Sequence, residues 1–99
     1  MYAIFDVKPA DGARIDEVLS DPKDDLVSRQ SIAIRDGAAL GFPDLARLVL
    51  VEGSEAGVAR AVERFAFATR LAGDKAESVY RAIKSQEDDV ASGVGFIFG

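Results

Sequence analysis

No cysteine and no histidine occur in the 99 residues of this chain. The first absence removes disulfides, zinc–thiolate sites, iron–sulfur clusters and thiol nucleophiles together. It also favours a reducing compartment, because small secreted domains lean on cystines. The second removes the commonest proton-transfer side chain near neutral pH and the usual activator of a serine nucleophile. Catalysis here would have to rest on carboxylates, lysine, tyrosine or a bound cofactor. No catalytic motif built from those residues is recognisable, so the chain reads as non-catalytic.

Long apolar runs are missing as well. A membrane-spanning helix needs about 20 consecutive apolar residues, and none is present. The start, Met1 to Val7, has no basic n-region and meets Asp6 too early for a signal peptide. A cytoplasmic location is the expectation. Basic charge is in short supply: 17 acidic residues face 12 basic ones, for a net charge of −5. Such a surface repels a phosphate backbone, and no Lys/Arg run builds a local patch against that field, so no nucleic-acid partner is expected.

What is present is an ordinary globular composition, 48% hydrophobic and 29% charged. A chain of this size and composition can build one core without staples. No repeat, linker or low-complexity stretch divides it, so residues 1–99 read as one domain.

Residues 2–7 form a strand, with Ile4 and Phe5 favouring β-structure. Asp11 suits the cap of a short helix to about Ser20, with Ile15, Val18 and Leu19 on one stripe. Asp21-Pro22 ends it. Ser31–Arg35 alternates, placing Ile32 and Ile34 inward, and Asp36-Gly37 is the strongest turn signal in the chain. Residues 38–43 read either as a short hairpin partner or as a loop. Arg47–Val51 is a buried strand. Ser54 then caps a helix predicted to run to about Ala72, with Val58, Ala61, Val62, Phe65 and Ala68 facing the sheet and Phe67 opposite. Gly73 closes it. A third helix follows from Asp74, with Ala76, Val79, Tyr80 and Ile83 as its stripe, and Val94–Phe98 is expected as a last strand. The order β-α-β-β-α-α-β predicts an α+β, ferredoxin-like sandwich: a mixed or antiparallel sheet of about four strands with helices mainly on one face.

Two acidic clusters offer the right ligands for a hard cation such as Ca²⁺ or Mg²⁺. One is Asp21, Asp24 and Asp25; the other is Glu87, Asp88 and Asp89. Neither has EF-hand spacing, and acidic runs at loop ends also serve simply as solvated surface. Gly37 to Gly41 and Gly93 to Gly95 lack the lysine, or the strand and helix, that a phosphate cradle needs. The corner Pro9-Ala10-Asp11-Gly12-Ala13-Arg14-Ile15 resembles the glycine-containing turn that opens the first helix of ACT-type regulatory domains. That resemblance implies a role in amino-acid binding across subunit contacts. It spans seven residues, and it departs from the family in separating Pro9 from Gly12, so no ligand-binding residue is carried over.

Asp6, on an otherwise apolar strand, is the best clue to carboxylate chemistry. A buried, unpaired carboxylate is costly and marks function, whereas one at a strand end or paired with Arg35 is structural. Finally, the strands are apolar on both sides. Leu48 and Leu50 oppose Val49 and Val51, and Phe96 and Phe98 oppose Ile97. The second sheet face needs a cover, either the third helix or a second copy in a homodimer. The reading is a non-catalytic binding or regulatory module acting through a ligand or protein partner. The alternative is a divalent-cation-binding protein, and a small carboxylate-dependent enzyme comes third.

Overall fold

Alternation decides the centre of the molecule. In the computed structural model, which describes the backbone of residues 1–98 and side chains as far as Glu87, the strands are β1 (Tyr2–Val7), β2 (Ser31–Asp36), β3 (Arg47–Glu52) and β4 (Thr69–Arg70). The helices are α1 (Gly12–Leu19), α2 (Glu55–Arg64) and α3 (Gly73–Phe98). The strands form one open sheet in the order β2-β3-β1-β4, antiparallel at every pair. This is the expected α+β fold, and its strand order is compatible with a ferredoxin-like sandwich.

Because side chains alternate across a strand, β1 and β3 split their apolar residues between two cores. Ala3, Phe5 and Val7 join Val49 and Val51 beneath Ile15 and Val18 of α1 and Val58 and Ala61 of α2. Ile4, Leu48 and Leu50 lie on the other face beneath Val79 and Ile83 of α3. Two helices thus cover one face and the third covers the other. Each fully buried aliphatic or phenylalanine side chain contributes about 1.5–3 kcal/mol of transfer free energy. Of the two covers considered for the second sheet face, α3 provides one.

The second helix stops eight residues earlier than its periodicity predicts. Ser54 Oγ accepts from the Gly57 amide at 3.0 Å, so the N-cap is as expected. After Arg64, however, the chain turns, with the Ala68 amide donating to the Phe65 carbonyl at 3.0 Å. On a continuing helix Phe65 and Phe67 would point about 200° apart. Turning instead lets both pack on the same core, Phe65 stacked on Phe5 at 4.9 Å and Phe67 at 5.7 Å from Phe65. Thr69 and Arg70 then pair with Asp6 and Phe5 as the edge strand.

Gly73, expected to close a helix, opens one: at φ 57° it turns the chain from β4 into α3. The strand expected at Val94–Phe98 is also corrected, since the backbone there continues α3. Gly93 and Gly95 each cost about 1 kcal/mol relative to alanine, too little to end a helix that is already propagating.

Candidate ligand cleft

α1 and α2 do not cover the whole of their sheet face. Where β2 ends and β3 begins, an open cleft of about 530 Å³ remains between α1 and the hairpin. Pro9, Gly12, Ile15 and Asp16 form one wall, and Ile34, Leu45 and Ala46 lie across from them. Asp36, Gly37, Ala38 and Arg47 complete the rim. Ile15 is buried and Ile34 half-buried, so the floor is apolar while Asp16, Asp36 and Arg47 are exposed.

Local chemistry fixes the hairpin wall. Asp36-Gly37 does not make a two-residue turn. A short 3-10 turn at Ala38–Leu40 lengthens the connection, with the Phe42 amide donating to the Gly37 carbonyl at 2.8 Å. The strands close again where the Gly37 amide donates to Ala46 at 2.7 Å. Glycine is needed at 37 for space, because a Cβ there would run into the Leu45 backbone carbonyl.

Asp6 sets the same wall from the far side. Its carboxylate accepts the Ala46 amide at 2.9 Å, tying β1 to the returning chain just before β3. The pairing considered with Arg35 is not made. Arg35 Nε donates to Gln86 at 2.6 Å and Nη1 to the Ile34 carbonyl at 2.9 Å, so it wraps the free edge of β2. Sequence reasoning picked out Asp6 as the odd acid on an apolar strand. Its partner, a backbone amide 40 residues away, had no sequence signal.

The wall facing the hairpin begins with a 3-10 turn, Pro9–Asp11, that runs directly into α1. Asp11 occupies the N-cap position, but its side chain makes no cap bond and lies 4.0 Å from Arg14. The Asp11 and Gly12 amides are instead donated to the carbonyls of Lys8 and Pro9. Gly12 has φ −56°, and a Cβ there would meet nothing within 4 Å.

The acidic clusters lie elsewhere. Asp24 is held between two guanidinium groups, Arg60 at 2.6 Å and Arg64 at 2.7 Å. Hydrogen bonds from Arg60 first and Arg64 second keep its carboxyl below the ordinary 3.8. Asp21 accepts the Lys23 amide at 2.9 Å and lies 3.3 Å from Arg64, while Asp25 pairs with Arg29. Asp21 and Asp24 thus share Arg64, and Asp25 is turned to Arg29 instead. Glu87 sits 3.6 Å from Lys84, and the side chains of Asp88 and Asp89 lie outside the described residues. Among the described residues no three His, Cys, Asp or Glu side chains gather to hold a metal ion.

No protein-family model, curated protein or solved structure matches this chain. Its chemistry therefore has to be read from the cleft itself.

One polar node was missed in the sequence. Tyr80 Oη donates to Glu52 at 2.5 Å, Lys84 Nζ approaches the same carboxylate at 2.6 Å, and Tyr2 stacks on Tyr80 at 4.1 Å. Lys84 first, then Tyr80, holds the Glu52 carboxyl low, and Glu52 raises Tyr80 and Lys84 in turn. The signal available was Tyr80 and Lys84 at i and i+4 on one helix. Their acid, Glu52, comes from a strand. The node clamps α3 to the end of β3 and lies outside the cleft. Among the described residues no helix is long and apolar enough to cross a membrane.

Proposed function

We propose that this chain is a small, non-catalytic binding or regulatory module that takes a ligand with an apolar body in the cleft between α1 and the β2–β3 hairpin. The observation that carries the reading is the cleft's lining: an apolar floor with a few polar groups at the rim. Small-molecule sites have this composition, with volumes of about 300–1,000 Å³. The walls are set by backbone hydrogen bonds and by Asp6, so little ordering has to accompany binding. A chain without cysteine or histidine fits a cytoplasmic binding role better than hydrolysis. The cation-binding alternative draws no comparable support, because Asp21, Asp24 and Asp25 are already paired with arginines.

The test is an amide NMR screen of small fragments against the intact chain and against Gly12→Leu. The leucine enters open space at an ordinary helical φ, so the fold should persist while the cleft is plugged. Saturable shifts at residues 12–16, 34–38 and 45–47 that vanish in Gly12→Leu are expected. Shifts that ignore the plug, or that cluster elsewhere, would overturn the proposal.

A further inference from the structure

We infer that the cleft selects ligands bearing a positively charged amine on their apolar body, an inference that rests on the binding-module reading above. Among the described lining residues there are two carboxylates, Asp16 and Asp36, and one cation, Arg47. That cation is already engaged, with Arg47 Nη1 lying 2.9 Å from Asp36. Asp16 is exposed on α1, and among the described residues no basic side chain pairs with it. The rim is therefore negative on balance, on a chain whose net charge is −5.

The start of α1 offers an anion little in return. Its positive dipole end points towards this region, but the Asp11 and Gly12 amides are already donated to Lys8 and Pro9. An anion would meet two carboxylates with no free guanidinium; an ammonium group would gain Asp16 and share Asp36. Ile15, Ile34 and Leu45 supply the apolar contact in either case.

Three probes with one shared phenyl body test this: phenethylamine, phenethyl alcohol and phenylacetate, each titrated by amide NMR. The expected order is amine tighter than alcohol, and alcohol tighter than carboxylate. Each step should be about two- to fivefold, the range for a partly exposed charge pair. Asp16→Asn should weaken the amine by about the same factor, and Arg47→Gln, which frees Asp36, should tighten it. A merely structural effect would not move the two variants in opposite directions. Equal affinities for the three probes, or a preference for phenylacetate, would overturn the charge inference and leave the cleft as a binding site. If no probe moves the cleft amides, the binding-module reading falls with it.

Discussion

The two faces of the sheet are closed by different means. On one, α1 and α2 are short amphipathic helices of 8 and 10 residues that leave the end of β2 uncovered. On the other, the single long helix α3 is pinned by polar contacts at several points. Arg35 reaches Gln86, Lys75 reaches Asp44, and Glu52 takes both Tyr80 and Lys84. Apolar burial closes both faces, and on the α3 side these polar contacts are added to it. Covering a sheet with two short helices leaves a gap where they diverge from an edge strand, and that gap is the cleft. Among the described residues, the one long helix tied to β2, to the hairpin and to β3 borders a smaller gap, of about 360 Å³ beside Ile4, Leu71 and Ala76.

The largest effects expected are in the two cores. Phe65→Ala on the α1/α2 face should cost about 3–5 kcal/mol, and Ile83→Ala on the α3 face about 2–5 kcal/mol, by urea denaturation. The comparison is sharpened by amide exchange: Ile83→Ala should speed exchange in α3 without moving the cleft amides. If the cleft amides move equally, the two faces are one cooperative unit.

Asp6 is the link between the faces, since it alternates onto the α3 side yet holds Ala46 of the cleft wall. Asp6→Ala strands the Ala46 amide and should cost about 1–3 kcal/mol. Asp6→Asn keeps an acceptor and should cost less. A stability gain in Asp6→Ala would point to a carboxylate kept for function rather than for this bond.

Smaller still is the α3 clamp. Glu52→Gln keeps an acceptor for Tyr80 but discards the charge facing Lys84, so about 0.2–1 kcal/mol should be lost. That loss should shrink in high salt. A loss independent of salt would mean that packing, not charge, holds α3 at this point.

The smallest effect concerns pH. Asp24 has its pKa lowered in the fold by Arg60 and Arg64, so its contribution is present above the ordinary 3.8 and disappears as pH falls through the lower folded value. The urea midpoints of the native chain and Asp24→Asn should differ at neutral pH and converge between about pH 5 and pH 2. A gap that persists in acid would break the assignment of Asp24 to this pair.

Much of the fold was legible in sequence because its signals are local. The two-sided apolar runs at Tyr2–Val7 and Arg47–Glu52 became the central strands. The Ile32/Ile34 alternation became an edge strand, and the Ala76, Val79, Ile83 spacing became the buried stripe of α3. The overlong second helix and the role expected of Gly73 share one cause. Phe65 to Ala68 has good helical spacing, yet pairing with β1 and stacking of Phe65 on Phe5 are worth more than further helical turns. Phe67, off the helical stripe, was the one local hint of that turn.

By itself, then, the chain determined its class, its core residues and its lack of thiol and imidazole chemistry, because composition and periodicity act within a few residues. Only the tertiary structure decided that α3 covers the other sheet face. It also decided that arginines claim the first acidic cluster, and that Asp6 reaches Ala46 to shape a cleft with Asp16, Asp36 and Arg47 at its mouth. Those outcomes depend on residues tens of positions apart meeting in space, and no local propensity records such meetings.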